Sequence, residues 1–165
     1  MAVMRMLKHL CATRGATRRR FSDEVDAAID SAIGAAEARS SGEIRFVIET
    51  ALEIAELWAG VTPRERAGQV FAQLRVWDTE LRNGVLIYVL AADRDVEIVA
   101  DRGAAARISP TEWEGVCRLI ESHFREGRFR EGAIAGVEAV GGLLEREFPS
   151  TSGNRDELPN QPALL

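Results

Sequence analysis

Histidine and cysteine each occur only twice in 165 residues, and tyrosine once. Cys11 and Cys117 stand far apart, with no Cys-x-x-Cys pair and no His-rich tract, which excludes a zinc finger or ribbon. Two unpaired cysteines fit a reducing compartment, so cytoplasmic residence is the expectation, with peripheral contact at the inner membrane left open. Any Ser-His-Asp or Cys-His mechanism would have to use His9 or His123. His123, between Ser122 and Phe124 on a helical pattern, reads as a boundary histidine. There is no P-loop, no Cys-x5-Arg nucleophile motif and no Asp-x-Asp-x-Thr/Val of the aspartate-nucleophile phosphatases. Long apolar runs are missing as well. The strand-like run Gly84–Ala92 has nine residues, where a membrane span needs about 18–20.

Acidic residues are absent from positions 1–20, which carry Arg5, Lys8, Arg14, Arg18, Arg19 and Arg20. The rest of the chain holds 15 basic and 26 acidic side chains, a net charge of −11 within a total of −5. An acidic body argues against a broad nucleic-acid surface, which needs clustered Lys and Arg. The length suits one domain that buries roughly 70% of its unfolded surface. The basic arm lacks the uninterrupted apolar core of a signal peptide, because Arg5, Lys8 and His9 break it. Met4, Leu7, Leu10 and Cys11 nevertheless fall at helical spacing. The arm reads first as a frayed, solvated terminus. The second reading is an amphipathic helix making peripheral contact with an anionic membrane.

Phe21, Val25, Ile29, Ile33 and Ala36 form one helical stripe after a Ser22 cap. Glu43–Thr50 reads as a strand. Residues 51–61 have no clean period, and their apolar side chains either pack on the core or form a lid or partner surface. Thr62-Pro63-Arg64-Glu65 and Ser109-Pro110-Thr111-Glu112 are two capping boxes, each opening a helix. Val85–Ala91 is continuously apolar, as in a strand covered on both faces. Val96–Ala100 returns from a tight turn as the second strand of a hairpin. Gly127 separates the helix after Ser109 from a last one that Pro149 stops. A fourth strand is expected within 51–58 or near Ala104–Ile108. The tail 149–165, with Pro149, Pro159 and Pro162, is expected to be disordered. These elements predict an α/β chain: a three-layer α/β/α sandwich with a small mixed sheet of about four strands and helices on both faces.

The order and spacing of several segments carry a resemblance. These are Gly42-Glu43-Ile44-Arg45, Pro63-Arg64-Glu65-Arg66-Ala67, Trp77-Asp78-Thr79, Arg82-Asn83-Gly84-Val85-Leu86, and Asp93-Arg94 followed by Asp101-Arg102-Gly103. Over roughly residues 21–148 the chain resembles the TPM domain family. That family joins plant thylakoid-lumen phosphatase-like proteins, a photosystem-repair protein and an animal acetylcholine-receptor modulator to many bacterial proteins. The resemblance implies a compact α/β/α sandwich, divalent-metal binding, and the weak acid-phosphatase activity attributed to the plant branch. It places residues 1–20 and 149–165 outside the domain.

The expected site is the polar edge of the sheet. Asp78 and Asn83 precede the central strand, Asp101 follows the third, and Glu43 opens the first. Carboxylates, an amide and backbone carbonyls are oxygen donors suited to Ca²⁺ or Mg²⁺. Arg82 and Arg102 are candidates for pairing with a phosphate of a substrate. Two functions follow: a metal-binding accessory module that holds a protein partner, or a weak metal-dependent phosphatase in which bound metal activates water.

Overall fold

The computed structural model describes residues 2–150 and 156–165. The expected stripe is α3 (Asp23–Glu37), capped by Ser22, whose hydroxyl accepts from the Val25 N–H. Ahead of it lie α1 (Ala2–Cys11) and α2 (Arg14–Arg20). Then come β1 (Glu43–Glu49), α4 (Ile54–Trp58), α5 (Pro63–Gln73), β2 (Gly84–Leu90) and β3 (Asp95–Ala100). The one-turn α6 (Arg102–Ala105), α7 (Pro110–Arg125), α8 (Phe129–Glu147) and β4 (Ala163–Leu164) follow. Both expected capping boxes form, one at Thr62 and Glu65, the other at Ser109 and Glu112.

The sheet order is β3-β2-β1-β4. β1 runs parallel to β2 and to β4, and β2 pairs antiparallel with β3. Helices cover both faces, as the sequence predicts. Ile44, Phe46, Ile48, Val85, Ile87 and Val89 pack under α3, α7 and α8. Val47, Leu86, Tyr88 and Leu90 face Ala67 and Val70 of α5. Every residue of β2 is buried, so both of its alternating faces must be apolar, and its sequence is therefore unbroken. Gly84 begins this strand hard against the preceding turn: a Cβ there would lie 2.0 Å from the Val76 carbonyl oxygen.

Three expectations are corrected. The fourth strand is in neither proposed segment; 54–58 is α4 and 102–105 is α6. It is β4, from the tail. The tail is not disordered where it is described: residues 156–165 run along β1, Leu158 is buried, and Val47 and Ile48 pair with Ala163 and Leu164. Backbone pairing and one leucine anchor it, which its proline-rich composition conceals. Nor is the arm frayed. His9 is buried; its Nδ1 accepts the Leu52 N–H at 2.9 Å, and its Nε2 lies 3.1 Å from Asp93 Oδ1. Arg5 donates to Asp93 Oδ2 and to the Val61 carbonyl, each at 2.9 Å. Burial alone would raise the Asp93 carboxyl, but the bonds from Arg5 and His9 outweigh it and hold the group below its ordinary range.

Candidate functional site

The starts of β1 and β2 and the end of β3 share one edge of the sheet. Glu43 stands opposite Gly84, and the Asp101 N–H donates to the Gly84 carbonyl at 2.9 Å. The topology thus gathers the expected residues, and their side chains then part.

Asp101 ends the chain's run along the sheet and caps α6. Its Oδ1 accepts the Arg102 N–H at 2.7 Å. Its Oδ2 is buried with no hydrogen-bond partner among the described residues, and the residue is only 8% exposed. Leaving a carboxylate oxygen buried and unmet costs on the order of 1–3 kcal/mol or more. Asp101 lines a groove of about 400 Å³ with Asp78, Thr79, Arg82, Arg102 and Trp77. The loop before β2 closes over this point: a Cβ on Gly103 would fall 2.6 Å from both the Leu81 and Arg82 carbonyl oxygens. Arg82 takes a left-handed backbone, φ 52°, and its carbonyl accepts the Gly103 N–H at 2.8 Å. The two carboxylates that line it, Asp78 and Asp101, are hard-oxygen donors. Arg82 and Arg102 border the same groove and supply positive charge for an anionic group beside it.

Asn83 does not reach this groove. It is fully buried; its Nδ2 donates to the Ser41 carbonyl at 2.8 Å, and its N–H donates to Thr79 Oγ1 at 3.1 Å. It is a strut between the turn before β1 and the loop before β2. Glu43 also points elsewhere. Its Oε2 accepts the N–H groups of Glu157 and Leu158 at 3.2 and 3.1 Å. There it joins Glu37 and Asp156, with one carboxylate oxygen of each within 4.8 Å of the others. Burial pushes the Glu37 carboxyl up to about 8 and that of Glu43 up to about 7. Glu37 and Asp156 escape sequence reasoning. The one available signal is an acid in the last turn of α3, where the helix dipole disfavours it.

At the opposite end of β1, Glu49 is paired. Arg66 of α5 makes a two-pronged bond to Glu49, at 2.9 and 2.8 Å, and Tyr88 donates its hydroxyl to the same carboxylate. Cys117 is half-buried, and desolvation raises its thiol to about 12, so it is an inert packing residue.

A model of the TPM domain matches residues 17–143. The chain belongs to the TPM domain family. Its fold is similar to the NMR structure of the BA42 protein from the psychrophilic bacterium Bizionia argentinensis. The two share 35% sequence identity over 87% of this chain and 94% of that one, with a TM-score of 0.77. The N-terminal domain of a P. gingivalis protein has the same fold at 22% identity, covering 77% of this chain and 78% of that one, with a TM-score of 0.56. So does the N-terminal domain of the cg2496 protein from Corynebacterium glutamicum, at 16% identity over 80% of this chain and 78% of that one, TM-score 0.56. None of the curated proteins compared with the chain matches it. The matched region runs from α2 into α8 and so contains Asp78, Asp101, Glu37 and Glu43, while Asp156 lies beyond it.

Proposed function

We propose that this TPM domain is an accessory module that binds a divalent cation, Ca²⁺ or Mg²⁺, between Asp78 and Asp101 and holds a protein partner over that groove. The observation that carries the reading is the buried Oδ2 of Asp101, without a partner among the described residues, on a residue that lines a groove together with a second carboxylate, Asp78. Trp77 and Leu81 are about half exposed beside the groove and give it an apolar rim suited to a partner. Earlier in the chain, Trp58 and Ile54 of α4 are also exposed, while Leu52 before them packs into the core. Calorimetric titration with Ca²⁺ tests the metal: binding to the wild type and its loss in Asp101→Asn are expected. Equal binding by both proteins would sink the assignment.

The alternative is a weak phosphatase at the same groove. Its lining includes neither histidine nor cysteine, so metal-activated water would be the nucleophile, with Arg82 and Arg102 pairing with the phosphate. Hydrolysis of p-nitrophenyl phosphate that needs Mg²⁺ and is lost in Asp101→Asn favours this reading. Activity that survives the substitution belongs to a contaminant.

A separate observation favours peripheral membrane contact through α1. Among the described residues no helix is long and apolar enough to cross a membrane. Yet α1 turns its polar side, Arg5 and His9, toward the body, and at 100° per residue Val3, Leu7 and Leu10 lie nearly opposite. Those three and Met4 are each more than half exposed. Lys8 and Arg14 flank them with positive charge, which complements an anionic bilayer. Sedimentation with phosphatidylglycerol vesicles, but not with phosphatidylcholine vesicles, is the expected outcome, and Leu7→Asp should abolish it. A Leu7→Asp protein that still sediments would remove α1 from the contact.

A further inference from the structure

Beyond the carboxyl ends of β1 and β2, away from the Asp101 groove, two hollows adjoin. The first, about 420 Å³, is walled by Phe21, Phe124 and Phe129. Their ring centroids lie 5.2–5.7 Å apart, so the wall is a continuous aromatic surface. The second, about 400 Å³, is lined by α1 and α2, including Lys8, Thr13 and Thr17. Arg20, Ala91 and Arg94 line both.

One carboxylate, Glu121, lines the first hollow, and none lines the second. Arg125, on the aromatic side, is paired with Glu121 at 3.0 Å. Arg20, Arg94 and Lys8 have no carboxylate partner among the described residues. Arg20 lies over the Phe129 ring, 5.2 Å from its centroid, so its charge stays available while its position is held. Arg94 sits in the β2–β3 turn at φ 56°, a left-handed position where Asn or Gly costs less. Three unmatched cations around a concave opening, in a chain of net charge −5, focus a positive potential there. An apolar compartment of this size joined to a cationic one has the form of a small-molecule site with a few orienting polar groups. In open α/β sheets that position, outside the carboxyl ends of parallel strands, is where ligands gather.

We propose that this double hollow binds a small amphipathic anion. Its aromatic or acyl body lies against Phe124 and Phe129, and its carboxylate, sulfonate or phosphate head rests among Arg20, Arg94 and Lys8. The site is independent of the cation groove. Neither half of the ligand suffices, since the head alone finds only exposed cations and the body alone finds a shallow wall.

Titrating the ¹⁵N-labelled full chain with naphthalene-2-sulfonate tests this. Saturable shifts centred on Ala91, Arg94 and Gly127 are expected, with naphthalene and inorganic sulfate each binding about tenfold more weakly or worse. Arg20→Gln and Arg94→Asn should each weaken the sulfonate by about tenfold, and Asn suits the left-handed turn, so the fold is kept. Sulfate binding as well as the sulfonate, or both variants binding like the wild type, would overturn the proposal. So would shifts centred on Asp101. If the two variants lose only phosphatidylglycerol vesicles and the wild type leaves the sulfonate unbound, the cations serve a bilayer surface and the hollow is not a small-molecule site.

Discussion

Asp101 and Glu37 show how a single carboxylate can be placed at cost. Each is buried at the same sheet edge, but their environments differ. Glu37 accepts from the Ile44 N–H at 2.8 Å and from the Asn160 amide at 3.0 Å, and lies near Glu43 and Asp156. Desolvation dominates, and the folded values of Glu37 and Glu43 rise to about 8 and about 7. The folded state therefore binds more protons than the unfolded chain between the ordinary glutamate range and those values. Stability conferred by these two groups is complete below pH about 4 and is lost as pH rises through 7 and 8, at about 1.4 kcal/mol per unit of difference. Urea unfolding is expected to show a less stable protein at pH 8.5 than at pH 5.5, and Glu37→Gln should flatten that slope. A wild-type protein equally stable at both values would contradict the account of Glu37 and Glu43. That Asp78 and Asp101 lie at one edge of the sheet was legible from their places at a turn and a strand end. The role of Asn83 was not, because the carbonyl it holds, that of Ser41, is 42 positions away and only the fold brings it near.

Elements with a strong period and a cap were legible to within a residue or two. α5 and α7 begin where their capping boxes put them, and β2 occupies the continuous apolar run. The short elements were not. α4 has five residues and β4 two, too few for any period to show. β4 exists because β1 has an open side and because Leu158 and the Glu43 carboxylate fix the chain just before it. Leu158→Ala should therefore cost about 2–4 kcal/mol, and amide exchange at Ala163–Leu165 should rise more than at β2. Unchanged protection across β4 would mean that backbone pairing alone holds the strand. α1 is the converse case. Its spacing was visible, but the direction its faces take depends on His9 and Arg5 finding Asp93, a hairpin residue more than 80 positions away.

Across the whole molecule, each end of the parallel strands carries its own cluster of groups without a charge partner of opposite sign among the described residues. Asp78, Asp101, Glu37 and Glu43 gather where β1 and β2 begin. Arg20, Arg94 and Lys8 gather where they end, with the apolar side of α1 beside them. Of the basic arm seen in the sequence, Lys8 and Arg20 lie at the second of these ends. The TPM fold supplies the frame, and fold alone does not specify a reaction. What distinguishes a cation-binding module from a bare scaffold is whether the Asp101 edge takes a metal.

A Ca²⁺ titration of the ¹⁵N-labelled chain, read amide by amide, measures this most directly. Saturable shifts at Asp78, Leu81, Asp101 and Gly103 are expected, and their absence in Asp101→Asn. No saturable shift at those amides, or shifts centred instead on Glu37, Glu43 and Asp156, would contradict the assignment.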